Sequence, residues 1–343
     1  MTPALFVFIS SFLLCILCIV TKPLHISMTA DTVFGSQKFH KGSIPRIGGA
    51  AIFLSLMSGS LFFSLPELMT IMMIACLPVF VFGLIEDLFK SVSSLYRLLA
   101  ALFSSVLFVY LSGKYFTSVD IFLFDQIFQA LHIWPFLTVL ALAALINSIN
   151  IIDGFNGLAS GSSIFMGLAL AVLALRYDDL VTVQMCLFFV AAVLGFFFIN
   201  FPRGLLFLGD AGAYILGFFL GGISIHLIEQ NPEITPLALL VVFAYPITEL
   251  LFSFYRKSVR DGHRPDRPDR VHLHMLAYRK YGRRFGGSFF SANAVTGALF
   301  LFLPFSGLAV LALMPVTRVI ALLYFLIFVL AYLRLYRRLS LRG

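Results

Sequence analysis

The chain has 343 residues, 60% of them apolar and only 12% charged, with a mean hydropathy of +1.00 and a formal net charge of +8. That is too apolar to be wrapped as one soluble core, which leaves a polytopic membrane protein. The hydrocarbon layer takes about 20 residues of helix to cross, and only helices and closed barrels satisfy the backbone there. The apolar runs are continuous rather than alternating, so the expected fold is all-α.

In chain order the runs predict eleven spans near 3–21, 47–65, 68–85, 97–112, 134–150, 158–175, 180–199, 212–228, 236–254, 289–311 and 317–333. The first is read as a span rather than a cleavable leader, because Lys22 follows it and no basic region precedes it. The longest loops fall near 23–46, 113–133 and 255–288, with no separate soluble domain and no internal repeat, so residues 1–343 are expected to form a single transmembrane domain. Cys15, Cys18, Cys76 and Cys186 all lie inside spans and are expected to pack rather than pair. Trp134, at the end of an outer loop, has the position of an interfacial anchor.

Sidedness follows from Lys and Arg. With those spans, every Lys and Arg except Lys114, Arg176 and Arg318 falls on one side. This predicts an outward (periplasmic) N-terminus, a cytoplasmic C-terminus and a multi-pass protein of the bacterial inner membrane. The 255–288 loop is the most basic segment. The net charge then reflects topology, with attraction to anionic lipid secondary, and no nucleic-acid partner is expected.

Four polar stretches interrupt this pattern: Glu86-Asp87, Asn147-x-x-Asn150-x-x-Asp153, Gly209-Asp210 and His272-x-His274. The predicted topology puts all four on the cytoplasmic side, where they can converge. Acids near hydrocarbon cost up to about 2.5–3.5 kcal/mol on insertion scales, so four together point to a site. Carboxylate and amide oxygens suit Mg²⁺, and Asn150 and Asp210 supply that chemistry. Lys38, His40, Lys41 and Arg46, with Arg267, Arg270, His272 and His274, add cationic and imidazole groups, which suggests a phosphorylated substrate. Gly154 and Gly157 flank a bend where backbone N–H groups can meet a phosphate or a base edge.

The ordered set Lys38-Phe-His40, Ile44-Pro45-Arg46-Ile-Gly48-Gly49, Glu86-Asp87, Asn147 to Leu158, Phe207-Leu-Gly209-Asp210-Ala-Gly212 and Pro268-Asp269-Arg270-x-His272-Leu-His274 resembles the polyprenyl-phosphate N-acetylhexosamine-1-phosphate transferases. The resemblance spans residues 31–276. It implies transfer of a sugar-1-phosphate from a UDP-N-acetylhexosamine to undecaprenyl phosphate in the bilayer, with release of UMP and a requirement for Mg²⁺ or Mn²⁺. It further implies Glu86, Asp87, Asp153 and Asp210 as catalytic residues, and Asn150 and Asp210 as metal ligands. Lys38, His40, Arg46, Gly154, Phe155, Asn156, Asp269, Arg270, His272 and His274 would contact substrates.

Two positions depart from the family pattern: Glu86 where paired aspartates are usual, and Met275 where many members carry a third histidine. An ion-coupled transporter is the competing function. Against it, the polar groups sit at span ends rather than mid-membrane, and the halves do not repeat. The donor sugar and the polysaccharide pathway stay open, and a homodimer is compatible with the sequence.

Overall fold

The computed structural model describes residues 2–31, 43–260, 271–285 and 291–340. The chain runs through α1 (Pro3–Val20), α2 (Lys22–Thr29), β1 (Ala30–Asp31), β2 (Ile44–Pro45), α3 (Gly48–Phe62), α4 (Glu67–Phe89), α5 (Ser94–Ser112), α6 (Phe122–Ala130), α7 (Trp134–Ile152) and α8 (Leu158–Leu175). It continues through α9 (Leu180–Asn200), α10 (Gly209–Gln230), α11 (Ala238–Val242), α12 (Ala244–Tyr255), a π-helical turn (Arg256–Arg260), α13 (Leu273–Phe285), α14 (Ala292–Phe300), α15 (Phe302–Leu313) and α16 (Arg318–Ser340).

Among the described residues, nine helical stretches are long and apolar enough to cross a membrane, counting α14 and α15 as one. The protein is a helical, multi-pass membrane protein. The two remaining apolar runs take other forms. The run at 47–65 is the 15-residue α3, and that at 236–254 breaks at Phe243 into α11 and α12.

The all-α expectation needs one small amendment, because Ala30–Asp31 and Ile44–Pro45 pair as a two-residue antiparallel ladder. The segments expected as loops also hold helices, namely α2, α6 and α13. Each is short or strongly amphipathic, so a search for 20-residue apolar runs passes over it.

The bundle is organised around α10, whose residues Gly209 to Ile228 are all buried. Small residues let its neighbours approach. Gly49 of α3 lies against the Gly212 backbone, and Gly217 faces Ile146 of α7. A Cβ on Gly83 of α4 would come within 2.6 Å of Ala211 Cα. Pro78 interrupts α4, and the neighbouring Val79 N–H donates to the buried Ser104 Oγ of α5 at 3.0 Å, so the proline site also ties two helices together.

Polar groups collect at the two ends of this bundle. At the end where α10 starts lie Arg46, Asp87, Arg97 and Asp210, joined to one another. At the other end, about 33 Å along the 22-residue α10, Lys114 pairs with Glu229 at 2.5 Å and Arg318 with Asp120 at 3.8 Å. There too, Arg176 donates to the Ala312 carbonyl at 3.0 Å. The three cations that the sequence separated from the rest therefore share the end away from Asp210.

The close approach at Gly83 makes a clear test of the core. Gly83→Val is expected to cut the yield of monodisperse protein in fluorescence-detected size exclusion by more than half. Leu77→Ala, on the exposed face of the same helix, should leave the yield unchanged.

Candidate active site

The site is built first from the strap that holds α3 to the start of α10. Phe207 N–H donates to the Pro45 carbonyl at 2.9 Å, while Gly48 and Gly49 N–H donate to the carbonyls of Phe207 and Leu208, each at 2.9 Å. Gly209 follows with φ +77°, a left-handed conformation that a side chain would oppose, and α10 begins there.

The first turn of any helix leaves N–H groups without internal partners. In α10 these donors are met from another helix: Asp210 N–H and Ala211 N–H donate to Asp87 Oδ1 and Oδ2 at 2.8 and 3.0 Å. Asp87, with a fully buried side chain at the end of α4, thus caps α10 across the bundle. Its charge also complements the positive end of the helix dipole. The Arg46 guanidinium stands 3.4 Å from Asp87 Oδ1 and donates to Asp210 Oδ1 at 3.0 Å. Arg97, from the first turn of α5, takes the other oxygen of Asp210 and also donates to Ser94 Oγ at 3.2 Å. Glu86, by contrast, points back along its own chain and accepts Val92 N–H at 2.9 Å.

Asp153, just past the end of α7, adjoins this side of the site, and Asn150 lies three residues before it on the last turn of that helix. Neither side chain has a hydrogen-bond partner among the described residues, whereas both oxygens of Asp87 and of Asp210 are engaged. Burial pushes the Asp153 carboxyl up to about 7; Arg46 opposes this rise and Asp210 adds to it. Asp153 therefore lies within the field of the Arg46–Asp210 pair.

Beyond Asp153 the bend is held by amides. Asn156 N–H donates to Asn293 Oδ1 at 2.7 Å, Asn156 Nδ2 to the Pro202 carbonyl at 3.0 Å, and Gly157 N–H to Asn200 Oδ1 at 2.6 Å. Asn156 is thus buried as a staple between segments. Phe155 is buried as well, edge-on to His274 with centroids 5.6 Å apart and tilted against Tyr278 at 5.2 Å.

His272, just before α13, and His274, in its first turn, are both buried, their rings stacked 5.6 Å apart. His274 Nδ1 lies 3.0 Å from Tyr245 Oη, and its Nε2 has no hydrogen-bond partner. Burial holds His274 down at about 3, so its ring is neutral at neutral pH. That Nε2 faces Gly154, where a Cβ would sit 3.0 Å away. Met275 reaches the same glycine, its Cε 3.8 Å from that Cβ position.

Of the residues predicted from sequence, Arg46, Asp87 and Asp210 are in direct contact, with Asp153 alongside, while Gly154, Phe155, His274 and Met275 form an adjoining cluster. Glu86 is engaged one turn away. Lys38, His40, Asp269 and Arg270 lie outside the described residues. Arg97, Tyr245, Glu249, Asn200 and Asn293 are not among the site residues expected from the sequence. The signal for Arg97 was an arginine in the first turn of an otherwise apolar helix. For Tyr245 and Glu249 it was polar residues four apart within an apolar run.

This multi-pass helical membrane protein gathers two arginines and three aspartates at one end of its bundle, beside a buried histidine pair, a set suited to an anionic ligand. The chain matches the model of glycosyl transferase family 4 over residues 69–228. It is 28% identical over 259 residues to a probable undecaprenyl-phosphate N-acetylglucosaminyl 1-phosphate transferase of Bacillus subtilis, covering 74% of this chain and 71% of that protein. To the undecaprenyl-phosphate alpha-N-acetylglucosaminyl 1-phosphate transferase of Thermotoga maritima it is 29% identical over 72% of each chain. To that of Escherichia coli K12 it is 29% identical over 71% of this chain and 67% of the relative. The chain is thus similar over 71–74% of its length to these transferases, and its middle part matches the glycosyl transferase family 4 model.

Two measurements separate the acids. Asp87→Asn keeps the shape but can accept only one of the two N–H groups, so it should lower stability by about 1–3 kcal/mol, read as a fall in thermal midpoint; Glu86→Gln, which keeps its acceptor for Val92, should fall by less than a third of that. Asp153 gives a pH signature. Its folded-state value of about 7 lies above the unfolded value of about 3.9, so folding binds a proton in that window, and stability should decline as pH rises from about 4 to 7. In metal-free detergent solution, Asp153→Asn should match wild type near pH 4 and melt several degrees higher at pH 8.

Proposed function

We propose that the protein transfers a sugar-1-phosphate from a UDP-N-acetylhexosamine to undecaprenyl phosphate at the cytoplasmic face of a bacterial inner membrane, releasing UMP. The observation that carries this reading is the Arg46–Asp210–Arg97 cluster at one bundle end, with Asp153, whose carboxyl holds no hydrogen bond among the described residues, in its field. The activities printed for the relatives and the ordered motifs support the same reaction. The Lys and Arg sidedness of the sequence, with Lys114, Arg176 and Arg318 at the end away from Asp210, supports the orientation, with the N-terminus outside.

In the reaction an oxygen of the acceptor phosphate bonds to the phosphorus that carries the sugar. The bond from that phosphorus to the bridging oxygen breaks, and UMP leaves with the electron pair. Both partners are anions, and like unit charges at about 4 Å repel by roughly 4 kcal/mol at an effective dielectric near 20. Bringing them together is therefore mainly a matter of charge and alignment. Arg46 and Arg97 supply cationic donors from two helices.

Asp210 and Asn150 have the hard-oxygen chemistry that suits Mg²⁺ or Mn²⁺, and no trio of His, Cys, Asp or Glu among the described residues forms a closed metal cage. That fits an ion which takes one or two protein ligands and leaves positions for phosphate oxygens. When bound, it would supply positive charge to the donor pyrophosphate.

A phosphate monoester is mostly dianionic at neutral pH, so a general base saves little. The commitments of Asp87 accord with this: both its oxygens already hold the start of α10, which favours ordering of the acceptor region over proton abstraction. Gly154 and the buried Phe155 and Asn156 shape the bend over which uridine would lie, and His272 and His274 would face the sugar or its phosphates.

The test is purified protein with undecaprenyl phosphate, Mg²⁺ and a panel of UDP-N-acetylhexosamines, following UMP. One donor should release UMP strictly in the presence of the lipid phosphate, with EDTA abolishing turnover and Asp210→Asn lowering kcat by at least a hundredfold. Absence of UMP with every donor would overturn the reading.

A further inference from the structure

Glu249 is a carboxylate set within an apolar stretch away from the Arg46–Asp210 cluster, and it is fully buried. A lone acid there is costly, and such residues are held by partners. Its Oε1 lies 3.0 Å from His272 Nδ1 and accepts Leu273 N–H at 3.2 Å. Leu273 is the first residue of α13, so the same oxygen caps an orphan helical donor and holds the imidazole beside it. Because that oxygen already serves as acceptor, His272 Nδ1 must carry the proton, which leaves Nε2 as the nitrogen offered to other partners.

The spacing on the two elements matches. Tyr245 and Glu249 are four residues apart on α12, hence on one face and about 6 Å apart along its axis. The imidazoles they hold are 5.6 Å apart, with Tyr245 on His274 and Glu249 on His272. One face of α12 is therefore a ruler that sets the histidine pair. From α16, Tyr332 adds its hydroxyl to the surroundings of Glu249, and Tyr336 accepts from Arg256 at 2.9 Å just beyond α12.

We propose that Glu249 is a positioning residue for the transfer reaction: by holding His272 Nδ1–H and Leu273 N–H on one oxygen, it fixes the tautomer and orientation in which His272 meets the phosphorylated donor. The role in turnover rests on the phosphosugar-transfer reading; the tautomer does not. What matters is the reach of an acceptor oxygen rather than its charge, as for carboxylates that orient metal-bound histidines.

The experiment uses full-length protein in nanodiscs, with ¹⁵N-histidine spectra assigned by His272→Gln and steady-state UMP release over a range of UDP-N-acetylglucosamine. Wild type should show His272 with a protonated Nδ1. Glu249→Gln keeps the reach and loses the charge; it should retain that tautomer, with kcat within about threefold of wild type. Glu249→Asp keeps the charge and withdraws the oxygen by one methylene; it should lose the tautomer preference and about tenfold in kcat, with a lower thermal midpoint from the lost Leu273 cap.

A wild-type His272 protonated at Nε2 overturns the proposal without any variant having to fold. So does an aspartate variant that equals or exceeds the glutamine variant in both readouts. If the spectra behave as expected while wild type releases no UMP from any donor, the positioning stands and the transferase reading fails.

Discussion

The interaction on which the site depends is the capping of α10 by Asp87. One carboxylate at the end of α4 takes the first two N–H groups of the most buried helix in the protein. In hydrocarbon-lined surroundings those donors have no water to turn to, so the cap fixes where α10 begins. Asp210 lies on that first turn, and its position follows from the cap. Arg46 is delivered by the backbone strap from Pro45 to Phe207, and Arg97 by the start of α5. Four chain segments far apart in sequence thus meet because one helix end has to be satisfied.

Glycines make that meeting possible. With Gly49 and Gly83 against the first turn of α10, the α3 and α4 backbones come close enough for a short aspartate to reach across. The reach is matched to the gap: Glu86, one methylene longer, is not the residue that caps α10 and serves the turn at Val92 instead. The unusual member of the acidic pair is therefore placed where its extra length is absorbed locally.

Much of the fold was legible because apolar runs and Lys/Arg sidedness are strong signals. The separation of Lys114, Arg176 and Arg318 from the remaining cations was readable without any contact being known. The polar stretches were readable too, since acids are rare in such a chain. What could not be read was division of labour. Asp87 and Asp153 look alike in sequence, yet one is spent on two backbone donors and the other holds no hydrogen bond among the described residues. Asn156, expected from its motif to contact substrate, also staples loops, which only the positions of Pro202 and Asn293 reveal. Breaks at Phe243 and Leu301 escaped notice because both residues are as apolar as their neighbours. Glu249 was visible as an anomaly but not as the partner of histidines more than twenty positions later.

Two assemblies meet at Gly154. One is the capped start of α10 with its arginines, extended by the end of α7; the other is the face of α12 that carries the histidine pair. His274 Nε2 points at this glycine, Met275 packs on it, and Phe155 lies edge-on to the same imidazole. A Cβ here would sit 3.0 Å from His274 Nε2, closer than ordinary van der Waals contact, so the imidazole would have to give way. Alignment in phosphoryl transfer is lost over distances of about 1 Å. The requirement at Gly154 is thus for absence of volume: the bend after α7 is where two separately braced halves of the site are brought into register.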